Sequence, residues 1–127
     1  LSKVASGGEF TRLMFAIKYI MADTIALPTI VFDEIDTGVS GEIANKLGGM
    51  MKELSSKHQV IAISHLPQIA AKGARHYFVF KDAAEDVTVS RIRELKENDR
   101  ILEIAKMIGG DNPSESALES AREMVNS

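Results

Sequence analysis

Thr29-Ile30-Val31-Phe32-Asp33-Glu34 is the stretch from which the fold can be read. Three β-branched or hydroxylated residues and a phenylalanine form an uncharged run, with Pro28 before it and two carboxylates after it. A short continuous run of this kind suits a strand buried in a parallel sheet. Pro28 disfavours helical geometry at Leu27 and so separates the strand from whatever helix precedes it. The pattern recurs at Gln59 to Ser64, where Val60, Ile61, Ala62 and Ile63 lead into Ser64 and His65. Two buried strands are therefore expected, with Asp33, Glu34, Asp36 and His65 at their C-terminal ends. In sheets of this type ligands collect beyond that edge.

Outward from these strands the spacing becomes helical. From Ser6, the residues Phe10, Leu13, Met14, Ile17, Ile20 and Met21 form a broad apolar stripe on one helix, which should end near Ala26. Between the strands, Ser40 is placed to cap a helix carrying Ile43, Leu47, Met50, Met51 and Leu54. Gly48 and Gly49 each cost that helix about 1 kcal/mol and would allow close packing. Pro67 suits the first turn of a short helix reaching Lys72. Residues Arg75 to Lys81 and Asp86 to Glu94 then read as an antiparallel hairpin joined by the acidic turn Asp82 to Glu85. Asn98 is placed to cap a helix with Ile101, Leu102, Ala105 and Ile108 that stops at Gly109 and Gly110, and Asn112, Pro113 and Glu115 open a last one. The expected fold is α/β in a single lobe over residues 1–127: a partly parallel sheet flanked by helices, a terminal antiparallel hairpin and two C-terminal helices.

The chain has 127 residues, enough for one core. Its 15 Lys+Arg against 18 Asp+Glu give a net charge of -3, without the basic surplus that holding nucleic acid by charge alone requires, so any grip on DNA is local or lies elsewhere. The absence of cysteine excludes a disulfide framework, a thiolate metal site and a cysteine nucleophile. The longest apolar stretch, Ile25 to Phe32, is too short to cross a bilayer, and no signal-peptide order is present, so a cytoplasmic location is expected. A chain that starts at Leu1 and reaches a glycine motif within a few residues reads as a fragment with an upstream region removed.

Three segments carry chemistry. Ala5-Ser6-Gly7-Gly8-Glu9 opens a helix, and paired glycines at a helix N-terminus let an anion reach the backbone N–H groups. The same residues also read as a capping box, with Ser6 as cap and Glu9 as its third residue. Asp33 and Glu34 present two carboxylates at a strand end, one suited to Mg²⁺ through water and the next to a water attacking a phosphate; solvated strand-terminating acids read the same way. His65 directly follows a buried strand, where an imidazole either meets a phosphate oxygen or a water, or serves as a structural hydrogen bonder. His58 and His76 lack a partner motif and are read as structural, and no zinc-ligand spacing links the three histidines. Arg91, Arg93, Lys96 and Arg100 alternate with Glu94, Glu97 and Asp99, as on a solvated face, with a DNA-contacting patch as the alternative.

The order of these segments resembles the second half of an ABC-type ATPase head. Ala5-Ser6-Gly7-Gly8-Glu9 is similar to the signature motif, Ile30 to Glu34 to the Walker B strand, Asp36 to the D-loop acid and His65 to the switch histidine. Glu9 stands where transporter ATPases usually have Gln. The strings Val31 to Gly41 and Ser64 to Ala70 resemble the DNA repair branch of the SMC-like ATPases. The resemblance implies ATP and Mg²⁺ as cofactors and a role in DNA double-strand break repair and recombination, in the nucleoid. Asp33 would bind the Mg²⁺ shell, Glu34 would be the catalytic base and His65 would contact the γ-phosphate. Ser6, Gly7, Gly8 and Glu9 would meet the nucleotide held by an opposing head, and Asp36 would lie at that interface. The implied partners are a missing N-terminal half of the same head, a second head in a homodimer, and DNA through the full-length protein, with no membrane. No GxxxxGK[ST] phosphate loop and no sustained heptad seam occur in the chain, so it is expected not to hydrolyse ATP alone. A non-catalytic dimerisation or DNA-scaffolding module, and the half-head of another SMC-like or RecF-like ATPase, are the competing expectations.

Overall fold

The computed structural model describes residues 7–84 and 86–127. The chain divides into two compact units, one running to Lys72 and the other spanning Gly73–Ser127. The first contains α1 (Gly7–Ile25), β1 (Thr29–Asp33), α2 (Gly41–Leu54), β2 (Gln59–Ile63) and α3 (Pro67–Ala70). β1 and β2 pair in parallel from Thr29↔Gln59 to Asp33↔Ile63, with α2 as the crossover. A parallel pair needs such a connection because the chain must return to the same end of the sheet.

The core lies on one face of this pair. Ile30 and Phe32 point into a cluster with Phe15 and Ala22 of α1, Ala44, Leu47, Met51 and Leu54 of α2, and Ile35 and Ile69. The Phe15 and Phe32 rings meet at 5.0 Å between centroids. Lys18 Nζ donates to the Val31 carbonyl at 2.7 Å and stands 5.6 Å from the Phe32 ring centre. Among the described residues nothing covers the opposite face of the pair: Val31 and Ile61 are exposed, and Ile63 is 55% exposed. This corrects the expectation of strands buried on both faces, because α1 and α2 both pack on the Ile30–Phe32 side.

A second correction concerns α1. Its buried positions are Gly8, Phe15 and Ala22, whereas the apolar stripe faces outward, with Phe10 at 61% and Ile20 at 65% exposure. At about 100° per residue these two sets lie on opposite sides of the helix. α1 is therefore apolar on both sides, a pattern suited to a helix covered twice.

In α2, Ser40 occupies the capping position, but among the described residues its side chain makes no capping hydrogen bond; its carbonyl accepts from Ala44 N–H at 2.8 Å. The two glycines differ. A Cβ on Gly48 would stand 2.9 Å from the Gln68 carbonyl oxygen, so this glycine admits α3, whereas a Cβ on Gly49 would meet no described atom within 4 Å.

The second unit contains β3 (His76–Ala84), β4 (Val87–Leu95), α4 (Glu97–Gly109) and α5 (Glu115–Asn126). β3 and β4 are antiparallel from His76↔Leu95 to Ala84↔Val87. The strands thus extend beyond the expected Asp82–Glu85 turn. Asp82 belongs to the ladder, where its carboxylate accepts from Arg91 Nε at 2.8 Å across the hairpin. Phe78 and Phe80 stack at 5.8 Å, with the Arg93 guanidinium 5.8 Å from the Phe78 centroid. α4 is capped at Lys96 instead of Asn98, with Arg100 N–H donating to the Lys96 carbonyl at 2.8 Å. α5 is capped by Ser114, whose hydroxyl accepts from Ala117 N–H at 3.2 Å, which places Asn112 and Pro113 before the helix. Gly110, at φ +86°, ends α4 as the glycine pair indicated. Ile104, Ala105, Ala117 and Ala121 are buried. Among the described residues no helix is long and apolar enough to cross a membrane.

Two measurements check this packing. Gly49→Ala is expected to raise the unfolding free energy by about 1 kcal/mol through helix propensity alone. Gly48→Ala is expected to lower it by about 1–3 kcal/mol through overpacking against α3; equal effects in urea denaturation would contradict the difference between the two sites. Half-buried His76 has its pKa lowered, first by burial and then by the Arg100 cation. Its folded state therefore prefers the neutral ring, and this contribution is present above about pH 6.5 and lost as the pH falls through that value toward the lowered folded pKa. Melting temperatures should fall over that range, and less so in His76→Gln; an identical pH profile in the variant would remove His76 as the cause.

Candidate functional site

The parallel register sets Asp33 beside Ile63, so the chain leaves both strands at one edge of the sheet. Glu34 follows immediately with φ +51°, a left-handed conformation that costs a non-glycine residue about 1–2 kcal/mol. The turn is braced by Thr37 Oγ1, which donates to the Glu34 carbonyl at 3.2 Å, and by Val39 N–H, which donates to the Asp36 carbonyl at 3.2 Å. Asp33 and Glu34 are exposed, whereas Asp36 is only 3% exposed.

A carboxylate buried this deeply needs donors. Asp36 Oδ2 accepts from Ser64 Oγ at 2.6 Å and from the His65 main-chain N–H at 2.7 Å, and it lies 3.1 Å from His65 Nδ1. Ser64 Oγ in turn accepts from Leu66 N–H at 3.0 Å. One carboxylate thereby joins the exit of β1 to the exit of β2, while the His65 side chain remains 76% exposed.

The start of α1 packs on the same loop. A Cβ on Gly8 would stand 2.6 Å from the Gly38 carbonyl oxygen, and one on Gly38 would stand 2.8 Å from Gly8 N. Gly38 itself has φ +70°. Only glycine at both positions allows this backbone-to-backbone approach. Exposed Gly7 faces the Thr37 methyl, and exposed Glu9 lies in the first turn. Ser6, the expected cap and ligand, lies outside the described residues.

The structure thus brings Asp33, Glu34, Asp36 and His65 to one edge and sets Gly7 and Gly8 against their loop. Sequence reasoning did not single out Ser64 or Gly38. Ser64 was signalled by a hydroxyl closing an apolar run, and Gly38 by a glycine two residues beyond an acid. His58 lies at the other end of the strands, with its side chain 6% exposed and Nδ1 against the Leu27 carbonyl. There a cavity of about 390 Å³ is lined by Asp23, Ala26, Leu27, Pro28, Lys57 and His58. Among the described residues no group of three or more His, Cys, Asp and Glu side chains is arranged to hold a metal ion.

No protein-family model matches the chain. It is 38% identical over 125 residues to DNA repair protein RecN of Haemophilus influenzae, covering 98% of this chain and 22% of that protein. It is 42% identical over 125 residues to the RecN of Rickettsia conorii, covering 98% and 23%, and 39% identical over 125 residues to that of Halalkalibacterium halodurans, covering 98% and 22%. The chain spans less than a quarter of the length of these curated relatives. In fold it is similar to a solved structure from work on ATP-driven dimerization and DNA stimulated activation of SMC ATPases. The TM-score is 0.62 at 21% identity, covering 76% of this chain and 58% of that one.

The contact between α1 and the loop makes Gly38 sensitive. Gly38→Ala is expected to destabilise the first unit by about 1–3 kcal/mol through strain at positive φ and overpacking against Gly8. Chemical denaturation giving a change within about 0.5 kcal/mol, the ordinary range for a surface substitution, would show that the approach is not constraining.

Proposed function

We propose, from the premise that this chain is a RecN-like C-terminal segment on an SMC-ATPase-like fold, that it supplies half of a composite ATPase head to a DNA repair protein. The single observation that carries this reading is the gathering of Asp33, Glu34, Asp36 and His65 at one sheet edge, against the glycine start of α1. An exposed lone carboxylate such as Asp33 fits Mg²⁺, which keeps most of its waters and needs only one or two protein carboxylates. When bound, Mg²⁺-ATP supplies the phosphoryl group and the charge that neutralises its oxygens.

The chain's own residues then divide the work. Glu34, next to the metal-binding carboxylate, orients and deprotonates the attacking water. His65 contacts the terminal phosphate or that water from the neighbouring strand end. Gly7 and Gly8 offer N–H groups at the start of α1 to the nucleotide of a second head, with Ser6 and Glu9 in the same motif. Asp36 carries the loop between these two surfaces. The outward stripe of α1 and the bare Val31, Ile61 and Ile63 face receive the N-terminal half of the head, which brings the phosphate loop that this sequence lacks. Head pairing, contact with DNA and recombinational repair in the cytoplasm belong to the longer protein.

ATP hydrolysis decides the reading when measured on this chain alone, on its mixture with the separately expressed N-terminal half, and on Glu34→Gln. Turnover is expected only on mixing, and it should fall by about 10²- to 10⁴-fold in the variant, the usual share of a general base. A folded, nucleotide-binding mixture without turnover would overturn the ATPase reading in favour of a scaffold, and full turnover in the variant would remove Glu34 from the mechanism.

A further inference from the structure

We propose that Asp36 is a positioning residue that holds His65 in the tautomer protonated on Nδ1, leaving Nε2 as the nitrogen offered to a ligand. The functional consequence rests on the ATPase reading, but the tautomer does not. Asp36 Oδ2 accepts from the His65 main-chain N–H at 2.7 Å and from Ser64 Oγ at 2.6 Å. A main-chain N–H can only donate, so this oxygen acts as an acceptor. The third neighbour, His65 Nδ1, lies 3.1 Å from the same oxygen. A bare lone pair on Nδ1 would oppose a carboxylate oxygen at that distance, whereas a proton there turns the contact into an attraction. Ser64 Oγ is already engaged with Asp36 and with Leu66 N–H, so it leaves Nδ1 to the carboxylate.

A neutral imidazole in water favours the other tautomer, so Asp36 acts against the ring's intrinsic preference. The choice decides what His65 can do. In the neutral ring Nε2 then carries a lone pair, which accepts a hydrogen bond from water but repels a phosphate oxygen. Contact with a phosphate oxygen requires a donor, which a bare Nε2 does not provide. Asp36 thus sets His65 to accept from a water through Nε2, without touching the ligand itself.

Nitrogen NMR of the ¹⁵N-histidine-labelled chain at about pH 8, where an ordinary imidazole is neutral, tests this without nucleotide. His65→Gln assigns the signal among the three histidines. The expected wild-type spectrum has a protonated-type Nδ1 and an unprotonated-type Nε2 for His65. Ser64→Ala should keep that pattern, and Asp36→Ala should reverse it to mainly Nε2–H. A wild-type ring protonated mainly on Nε2 overturns the proposal whether or not Asp36→Ala folds, and so does a tautomer unchanged in a folded Asp36→Ala. Loss of the ATPase reading leaves the spectrum as expected, and a wrong tautomer leaves turnover on mixing intact, so the two failures are separable.

Discussion

A single buried carboxylate organises the C-terminal edge of the parallel strand pair. Asp36 is almost without solvent contact, and a charge in that position persists only if the fold brings donors to it. Those donors come from Ser64 and His65, nearly thirty residues further along the chain. Satisfying one side chain therefore fixes the relative position of two loops that follow different strands. The strained backbone of Glu34 belongs to the same compromise: the chain turns sharply after β1 so that Asp36 can point inward while Asp33 and Glu34 stay exposed.

Much of this was legible in the sequence, for identifiable reasons. The runs Thr29 to Phe32 and Gln59 to Ile63 announce strands because consecutive apolar residues with acids or hydroxyls at their ends have few other structural uses. Asp33, Glu34, Asp36 and His65 could be placed at one edge because parallel pairing puts both C-terminal ends together. Exposure was not legible. Hydrophobicity reports what a residue prefers to touch, and Ile61, Ile63 and the outer stripe of α1 have those preferences unmet among the described residues. Phe15 and Ala22, two isolated positions opposite a long stripe, turned out to anchor α1. Caps were legible only to within a residue or two, because Ser114 and Asn112, like Lys96 and Asn98, compete for one role and the choice depends on how the preceding loop arrives.

The partition of Asp36 from its neighbours was also invisible in the string Asp33-Glu34-Ile35-Asp36. Three acids in four positions look alike, and only the fold separates two exposed carboxylates from one that is enclosed by hydrogen-bond donors. Enclosure fits Asp36 to hold other groups, whereas Asp33 and Glu34 stay accessible.

The uncovered side of the β1–β2 pair has a consequence for how this chain behaves at high concentration. Two adjacent strands with isoleucine and valine facing water form an apolar surface prone to association, and the outward stripe of α1 is a second one. On the half-head reading proposed above, docking of the complement competes with aggregation. On the same reading, carrying both halves in one polypeptide would raise the effective concentration of the complement and favour docking.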